Sequence, residues 1–161
     1  MKLMVAFSSP KRSAKTVAVA SQYARALNAE LVLMRVVPAA EKMGIVAQLI
    51  ATDRPAEKAQ SQIDAVVAQL QAQGINATGL VRIGEVAHGI ISAAMEIGAN
   101  MVFVGTTSFQ PKPRFFMSKD PIVHYLVDRC PISLCLVRND ETLEQIEAAE
   151  AAEEKLNPGN S

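Results

Sequence analysis

The stretch Met101–Lys119, MVFVGTTSFQPKPRFFMSK, is the segment around which the rest of this chain is organised. Four apolar residues, Met101 to Val104, are too few for a helix and are typical of a strand that is buried on both faces. Gly105 ends the apolar run, and a loop rich in Ser, Thr, Pro and basic side chains leads to a helical pattern that resumes at Pro121. A strand, a small-residue loop and a helix in this order form an anion-binding site when the loop turns its N–H groups inward.

The rest of the chain alternates between short apolar runs and helical patterns. Strands are predicted over Leu3–Phe7, Leu31–Val37, Thr78–Ile83, Met101–Val104 and Ile132–Val137. Apolar residues spaced three or four apart separate these runs and predict helices, the first of them with Ser13 as its N-cap. Only the segment Ala39–Pro55 has an ambiguous pattern, because a glycine interrupts its helical face.

This alternation predicts the α/β fold class. Strands that are apolar on both faces need a parallel sheet with helices on both sides, here a five-stranded sheet of order 3-2-1-4-5. Ligands bind such sheets beyond the carboxyl ends of the strands, where the winding direction reverses. We therefore expect the loop Ser8–Arg12 and the loop Gly105–Lys119 to face one crevice.

The domain organisation is predicted to be simple. Residues 1–139 form one α/β domain, and residues 140–161 form an acidic tail that is either a frayed helix or disordered. Two cysteines are too few for a disulfide framework. We interpret Cys135 as a small core residue and Cys130 as a helix-end residue.

The charge balance excludes some partners. Lys plus Arg and Asp plus Glu both number 16, so no net charge steers the chain to nucleic acid or to a membrane surface. No apolar run approaches the roughly 20 residues that span a bilayer, and the first residues lead directly into a strand. These features favour a cytoplasmic protein.

Four stretches resemble the universal stress protein family. They are LMVAFSS from Leu3, LVLMRVV from Leu31, VRIGEVAHGIISAAMEIGANMVFVGTT from Val81 and DPIVHYLVDRCPISLCLVR from Asp120. Together they place almost all of Lys2–Arg138 in register with that family. The resemblance implies its Rossmann-like fold and an adenine-nucleotide site, in which Val36 matches the position whose backbone faces the adenine.

The nucleotide motif of that family is altered here. In nucleotide-binding members the fourth strand is followed by a glycine, two residues, a glycine, nine residues, a glycine and a Ser or Thr. Gly105 matches the first glycine, Thr106 and Thr107 the two residues, while Ser108, Ser118 and Lys119 stand at the last three positions. Ser8 replaces the Asp that follows the first strand in binding members. Because Ser has neither the φ range nor the bare backbone of Gly, weak or no ATP binding is predicted.

Two interpretations of the pocket remain open at this point. The chain is either a regulatory module that binds ATP weakly or not at all, or a binder of AMP, a cyclic nucleotide or another small anion. The second is favoured by basic residues in the two loops, where charge replaces lost backbone donors; these are Lys11, Arg12, Lys112, Arg114 and Lys119. Alternatively, the same basic side chains bind no ligand and form a solvated rim that keeps the loop soluble.

Catalysis is not predicted, although a slow ATPase is the third interpretation. His88 and His124 are the only histidines, and their spacing does not suit a metal site. Neither is expected to serve as a catalytic base. No metal is expected. We expect both rings to face solvent or to cap a helix.

A homodimer is the predicted assembly. The strand Ile132–Val137 should lie at the sheet edge, where an exposed apolar strand invites pairing with a second chain. The resemblance implies the same strand as the dimer interface, and it also implies association with a membrane transporter or a kinase as a regulatory part. The tail from Glu141 folding over this edge is the alternative.

Overall fold

The computed structural model describes residues 1–39, 55–107 and 120–139, together with the single positions Ala148 and Ala151. These ranges contain five strands: β1 Lys2–Ala6, β2 Glu30–Val37, β3 Ala77–Ile83, β4 Met101–Thr107 and β5 Ser133–Asn139. The helices in the same ranges are α1 Ala14–Leu27, α2 Pro55–Ala72, α3 Val86–Glu96 and α4 Pro121–Arg129. Predictions for most of the ambiguous segment and for the acidic tail lie outside the described residues.

The sheet is parallel and has the order β3-β2-β1-β4-β5, which confirms the predicted topology. In its centre Val5 pairs with Leu33 on one side and with Phe103 on the other. The chain therefore winds outward from β1 in both directions. A crevice opens at the carboxyl ends of β1 and β4, because the connections leave these two neighbouring strands toward opposite faces of the sheet.

The core consists of two layers, one on each face of the sheet. Leu3 and Val5 of β1 pack among buried residues of α1 and α2, whereas Met4 packs among those of α3 and α4. Alternate side chains of a strand point to opposite faces, so both sets are buried here. This explains why the central strands are continuous apolar runs rather than alternating ones.

Two strands extend further than their apolar runs. β4 continues past Val104 to Thr107 and β5 continues to Asn139, since Gly105 pairs with Val137 and Thr107 with Asn139. Backbone hydrogen bonding between these strands does not require apolar side chains. The ends of β4 and β5 predicted from the apolar runs were therefore too early. β1 ends one residue earlier than predicted, at Ala6, although the Phe7 N–H still donates to the Met34 carbonyl at 2.7 Å.

Both cysteines lie where the sequence placed them. Cys130 follows the last residue of α4, and the half-buried Cys135 of β5 packs against the core beneath α1 and α2. None of the helices described here combines the length and the apolar character needed to cross a bilayer.

Candidate functional site

The crevice at the carboxyl ends of β1 and β4 has a volume of about 580 Å³. This lies within the range of small-molecule sites. Its floor is apolar and is formed by Met34, Val36, Val86, Ile90, Val104 and Ile122. Polar groups lie at its rim, so the crevice suits a ligand with an apolar or aromatic body and polar ends.

The loop after β1 forms one side of the crevice. The Ser8 N–H donates to Ser13 Oγ at 2.9 Å, and the Ser8 and Ser13 hydroxyl oxygens are 3.3 Å apart. The Arg12 N–H in turn donates to Ser9 Oγ at 3.2 Å. These bonds hold the Ser8 hydroxyl at the crevice wall. They also occupy the backbone N–H of Ser8 within the loop.

Ser13 is the N-cap residue of α1, as the sequence predicts, but its side chain makes no capping hydrogen bond. Its backbone already has helical dihedral angles, φ −96° and ψ 0°, whereas an N-cap side chain acts from extended backbone. Ser13 is 4% exposed, and its hydroxyl accepts from the Ser8 N–H instead. Ser13 therefore positions the loop that carries a proposed ligand contact.

Gly105 lies in β4 beneath the first turn of α1. A Cβ added to it would lie 2.7 Å from the Thr16 hydroxyl oxygen, which is buried and has no hydrogen-bond partner among the described residues. Gly105 has no positive φ. At this position glycine is required by the close approach of the helix and not by an unusual backbone conformation.

Asp120 forms the opposite side of the crevice, at the start of α4. Its Oδ1 accepts hydrogen bonds from the N–H groups of Ile122 at 3.0 Å and Val123 at 3.2 Å. Free amides at a helix N-terminus attract phosphate. Here a carboxylate of the chain itself takes two of them and adds a negative charge to the crevice.

Asn139 closes the crevice near β5. Its Nδ2 donates to the Arg12 carbonyl at 3.3 Å, so the last residue of the edge strand holds the loop that follows the first strand. Arg12 and Arg35 of β2 are also among the lining residues of the crevice. The Arg35 side chain itself bonds to Gln62 of α2.

The structure brings together some of the predicted site residues. Ser8, Arg12, Val36 and Gly105 all line the crevice, whereas Lys11 and Thr106 are not among its lining residues. The Thr107 backbone ends β4, and its side chain is outside the described set. The other predicted contacts also lie outside the described residues; they are Ser108, Lys112, Arg114, Ser118 and Lys119.

Asp120, Arg35 and Asn139 line the crevice but were not among the predicted site residues. An Asp directly before Pro121 was an available N-cap signal for Asp120. A single charge inside an apolar strand was an available signal for Arg35. No local signal identified Asn139, because its partner lies 127 positions away.

Both histidines are exposed and lie outside the crevice. The His88 ring is 3.4 Å from the Ser92 hydroxyl, and His124 Nδ1 is 3.5 Å from a carboxylate oxygen of Asp128. This confirms that they face solvent. In the parts of the chain described, no cluster of His, Cys, Asp or Glu is arranged to hold a metal ion.

Comparison with known proteins gives one family. The family model described as "Universal stress protein family" matches residues 1–138. A family member from Burkholderia pseudomallei superimposes with a TM-score of 0.67 at 19% identity, covering 84% of this chain and 94% of that one. Universal stress protein UspA from Lactobacillus plantarum gives 0.68 at 17% identity, covering 86% and 97%. No curated protein is significantly similar to the chain in sequence.

Some similar structures are described with a bound nucleotide. The Archaeoglobus fulgidus universal stress protein in complex with dAMP has a TM-score of 0.59 at 14% identity and covers 84% of this chain and 96% of that one. An Arabidopsis thaliana member with AMP bound gives 0.62 at 10% identity, with 87% and 92% covered. A complex with cAMP gives 0.60 at 14% identity, with 86% and 96% covered.

Proposed function

This chain belongs to the universal stress protein family, and from that premise we propose that it is a regulatory module that binds a nucleoside monophosphate in the crevice and binds ATP weakly. The observation that carries the proposal is the Asp120 carboxylate at the start of α4. It occupies the amides of Ile122 and Val123 and places a negative charge in the crevice. Compared with a monophosphate, a triphosphate has more negative charge for Asp120 to repel and more oxygens that need hydrogen-bond donors.

Several features support a ligand with few phosphates. The apolar floor suits a base, and Arg12 and Ser8 at the rim offer charge and a hydroxyl to a single phosphate or sugar. The Ser8 N–H, which would be a backbone donor, is already bonded to Ser13. Relatives of the same fold are described with dAMP, AMP and cAMP.

Isothermal titration with AMP, cAMP and ATP tests this function. We expect AMP or cAMP to bind at least about tenfold more tightly than ATP, a difference of about 1.4 kcal/mol in binding free energy. ATP binding more tightly than both would overturn the proposal, and so would the absence of heat from all three. We propose action by binding alone, so incubation with ATP should release no phosphate above a denatured control.

Asp120→Asn should raise the affinity for ATP about tenfold and that for AMP by less. Repulsion between two unit charges near a protein surface is about 1–4 kcal/mol at 4 Å, and ATP has more charge to repel than AMP has. Asn is as good an N-cap as Asp, so α4 should keep its start. Titration of both nucleotides into the variant measures the change.

Asp128→Asn is the matched control for this experiment. It removes the same charge from the far end of α4, about 12 Å along the helix axis, where Asp128 is exposed beside His124. It should leave the ratio of ATP to AMP affinity unchanged. An Asp120→Asn variant with the wild-type ratio would show that this carboxylate does not select against ATP.

We also propose that the protein dimerises through β5. Among the described strands β5 pairs only with β4, so its outer edge has unpaired backbone groups. Leu136 on this strand is 43% exposed, and Val127 of α4 is 56% exposed. Association with a transporter or a kinase stays a prediction.

Leu136→Lys should weaken the dimer at least tenfold, because a charge on an edge strand opposes pairing with a second strand. Sedimentation analysis over a range of concentrations should then find mostly the 17.3 kDa species where the wild type has twice that mass. Ile83→Lys is the control, since Ile83 is 66% exposed on β3 at the other edge of the sheet. Equal weakening by both substitutions would argue against β5 as the interface.

A further inference from the structure

Gly89 is a glycine inside a helix that packs on the crevice. It is the fourth residue of α3, and its backbone has no positive φ. Glycine lowers the stability of a helix relative to alanine, so the helix itself does not explain this residue. Val86 and Ile90 lie on either side of Gly89 in the sequence of α3, and both line the crevice. Gly89 therefore lies in the part of α3 that forms the crevice wall.

The side chain of Val36 fills the space that a side chain at position 89 would need. A Cβ added to Gly89 would lie 2.9 Å from Val36 Cγ2 and 3.2 Å from Val36 Cγ1, so both methyl groups of Val36 face α3. Val36 also lines the crevice and is 8% exposed. The position of its side chain therefore sets part of the crevice floor.

Rotation of the Val36 side chain cannot make room for a Cβ at position 89. A valine has two methyl groups and three staggered positions at its Cβ, and two of these positions face Gly89. At least one of the two positions is therefore occupied by a methyl group in every rotamer. A Cβ at position 89 must either displace the Val36 side chain from α3 toward the crevice or change the spacing of α3 and β2.

We propose that Gly89 is a positioning residue that sets the ring size the crevice accepts. It lets Val36 lie against α3 and so leaves room on the apolar floor for a bicyclic ring, such as a purine base. Ring size is then selected by a contact behind the floor and not by a residue that touches the ligand. The nucleotide identity of the ligand rests on the proposed function, whereas the selection of a bicyclic ring depends only on the packing of Gly89 against Val36.

Indole and phenol are neutral probes that test ring size without a phosphate group. Both should shift the Cδ1 methyl resonance of Ile90, which lines the crevice, saturably in the wild type. This resonance is identified by its loss in Ile90→Val. Gly89→Ala should weaken indole binding at least about tenfold, as one extra carbon does in a tight apolar site, and should weaken phenol binding less. The ratio of indole to phenol affinity should therefore fall.

Two further variants separate ring selection from a general loss of stability. Val36→Ala removes both methyl groups that the new Cβ would meet, so in this background Gly89→Ala should leave the ratio of indole to phenol affinity unchanged. Gly79→Ala is the matched control, because it adds the same Cβ against a branched side chain, Ile63, on the other face of the sheet. A lower ratio in either of these two tests would mean that the effect does not pass through Val36, and it would overturn the inference.

Titration with AMP separates this inference from the proposed function. If AMP binds the wild type and Gly89→Ala lowers the ratio of indole to phenol affinity, both proposals stand. If AMP does not bind but the ratio falls, the proposed function fails and the role of Gly89 stands. If Gly89→Ala leaves the ratio unchanged, or if indole causes no saturable shift in the wild type, the role of Gly89 is refuted whether or not AMP binds.

Discussion

Gly79→Ala is expected to lower the free energy of unfolding by about 2–3 kcal/mol, at the upper end of the range for overpacking. Gly79 lies in β3, and a Cβ there would overlap Cγ2 of Ile63, which is fully buried in α2. A β-branched side chain in a helix has essentially one χ1 rotamer, so Ile63 cannot turn away. For a chain of this length the melting temperature should fall by about 5–10 °C.

Ile63→Leu provides the matched test of this contact. Leu lacks the Cγ2 methyl group and costs less than about 1.5 kcal/mol when it replaces a buried Ile. The double variant Gly79→Ala, Ile63→Leu should therefore be more stable than the sum of the two single changes predicts. Thr78→Ala at the exposed neighbouring position should have an effect of about 0.5 kcal/mol or less. If the effects of the two single changes are additive, Gly79 is not needed to make room for Ile63.

Gly105→Ala is expected to cost about 2 kcal/mol and to displace the first turn of α1 from β4. The new Cβ would lie 2.7 Å from the hydroxyl oxygen of Thr16, a residue that is 1% exposed. The midpoint of urea unfolding should fall with little change in its slope, because the unfolded chain is hardly altered.

Thr16→Ala distinguishes two explanations of Gly105. If glycine serves the close approach of α1, removing the Thr16 side chain should recover most of the stability that Gly105→Ala loses. Thr16→Ala alone should have a small effect, since it removes a buried hydroxyl without a described partner along with one methyl group. No recovery in the double variant would instead mean that Gly105 is needed for its backbone conformation.

The fold was predictable from the sequence to a large extent. Apolar runs such as Leu31–Val37 and helical spacing such as that of Ile63 and Leu70 are local patterns, and each identified its element. Strand ends were less predictable. The end of β4 depends on the pairing of Thr107 with Asn139, which the hydropathy of the sequence does not indicate.

The candidate site was predictable only in part. Ser8, Val36 and Gly105 were assigned by family resemblance and do line the crevice, yet their surroundings were not foreseen. Ser13 is the N-cap residue, as expected, but its hydroxyl accepts from the Ser8 N–H and makes no capping bond. Asn139 was not considered at all, because only the folded chain brings it to Arg12.

The five-stranded α/β fold and the family of this protein could be predicted without coordinates, because buried strands and amphipathic helices have distinct periods of apolar residues along the chain. Three features became evident only in the folded chain: Gly105 makes room for α1, Asp120 occupies the amides at the start of α4, and Asn139 holds the Arg12 carbonyl. These facts depend on the separation of packed layers and on the direction of individual side chains. Neither quantity is encoded in any short stretch of residues.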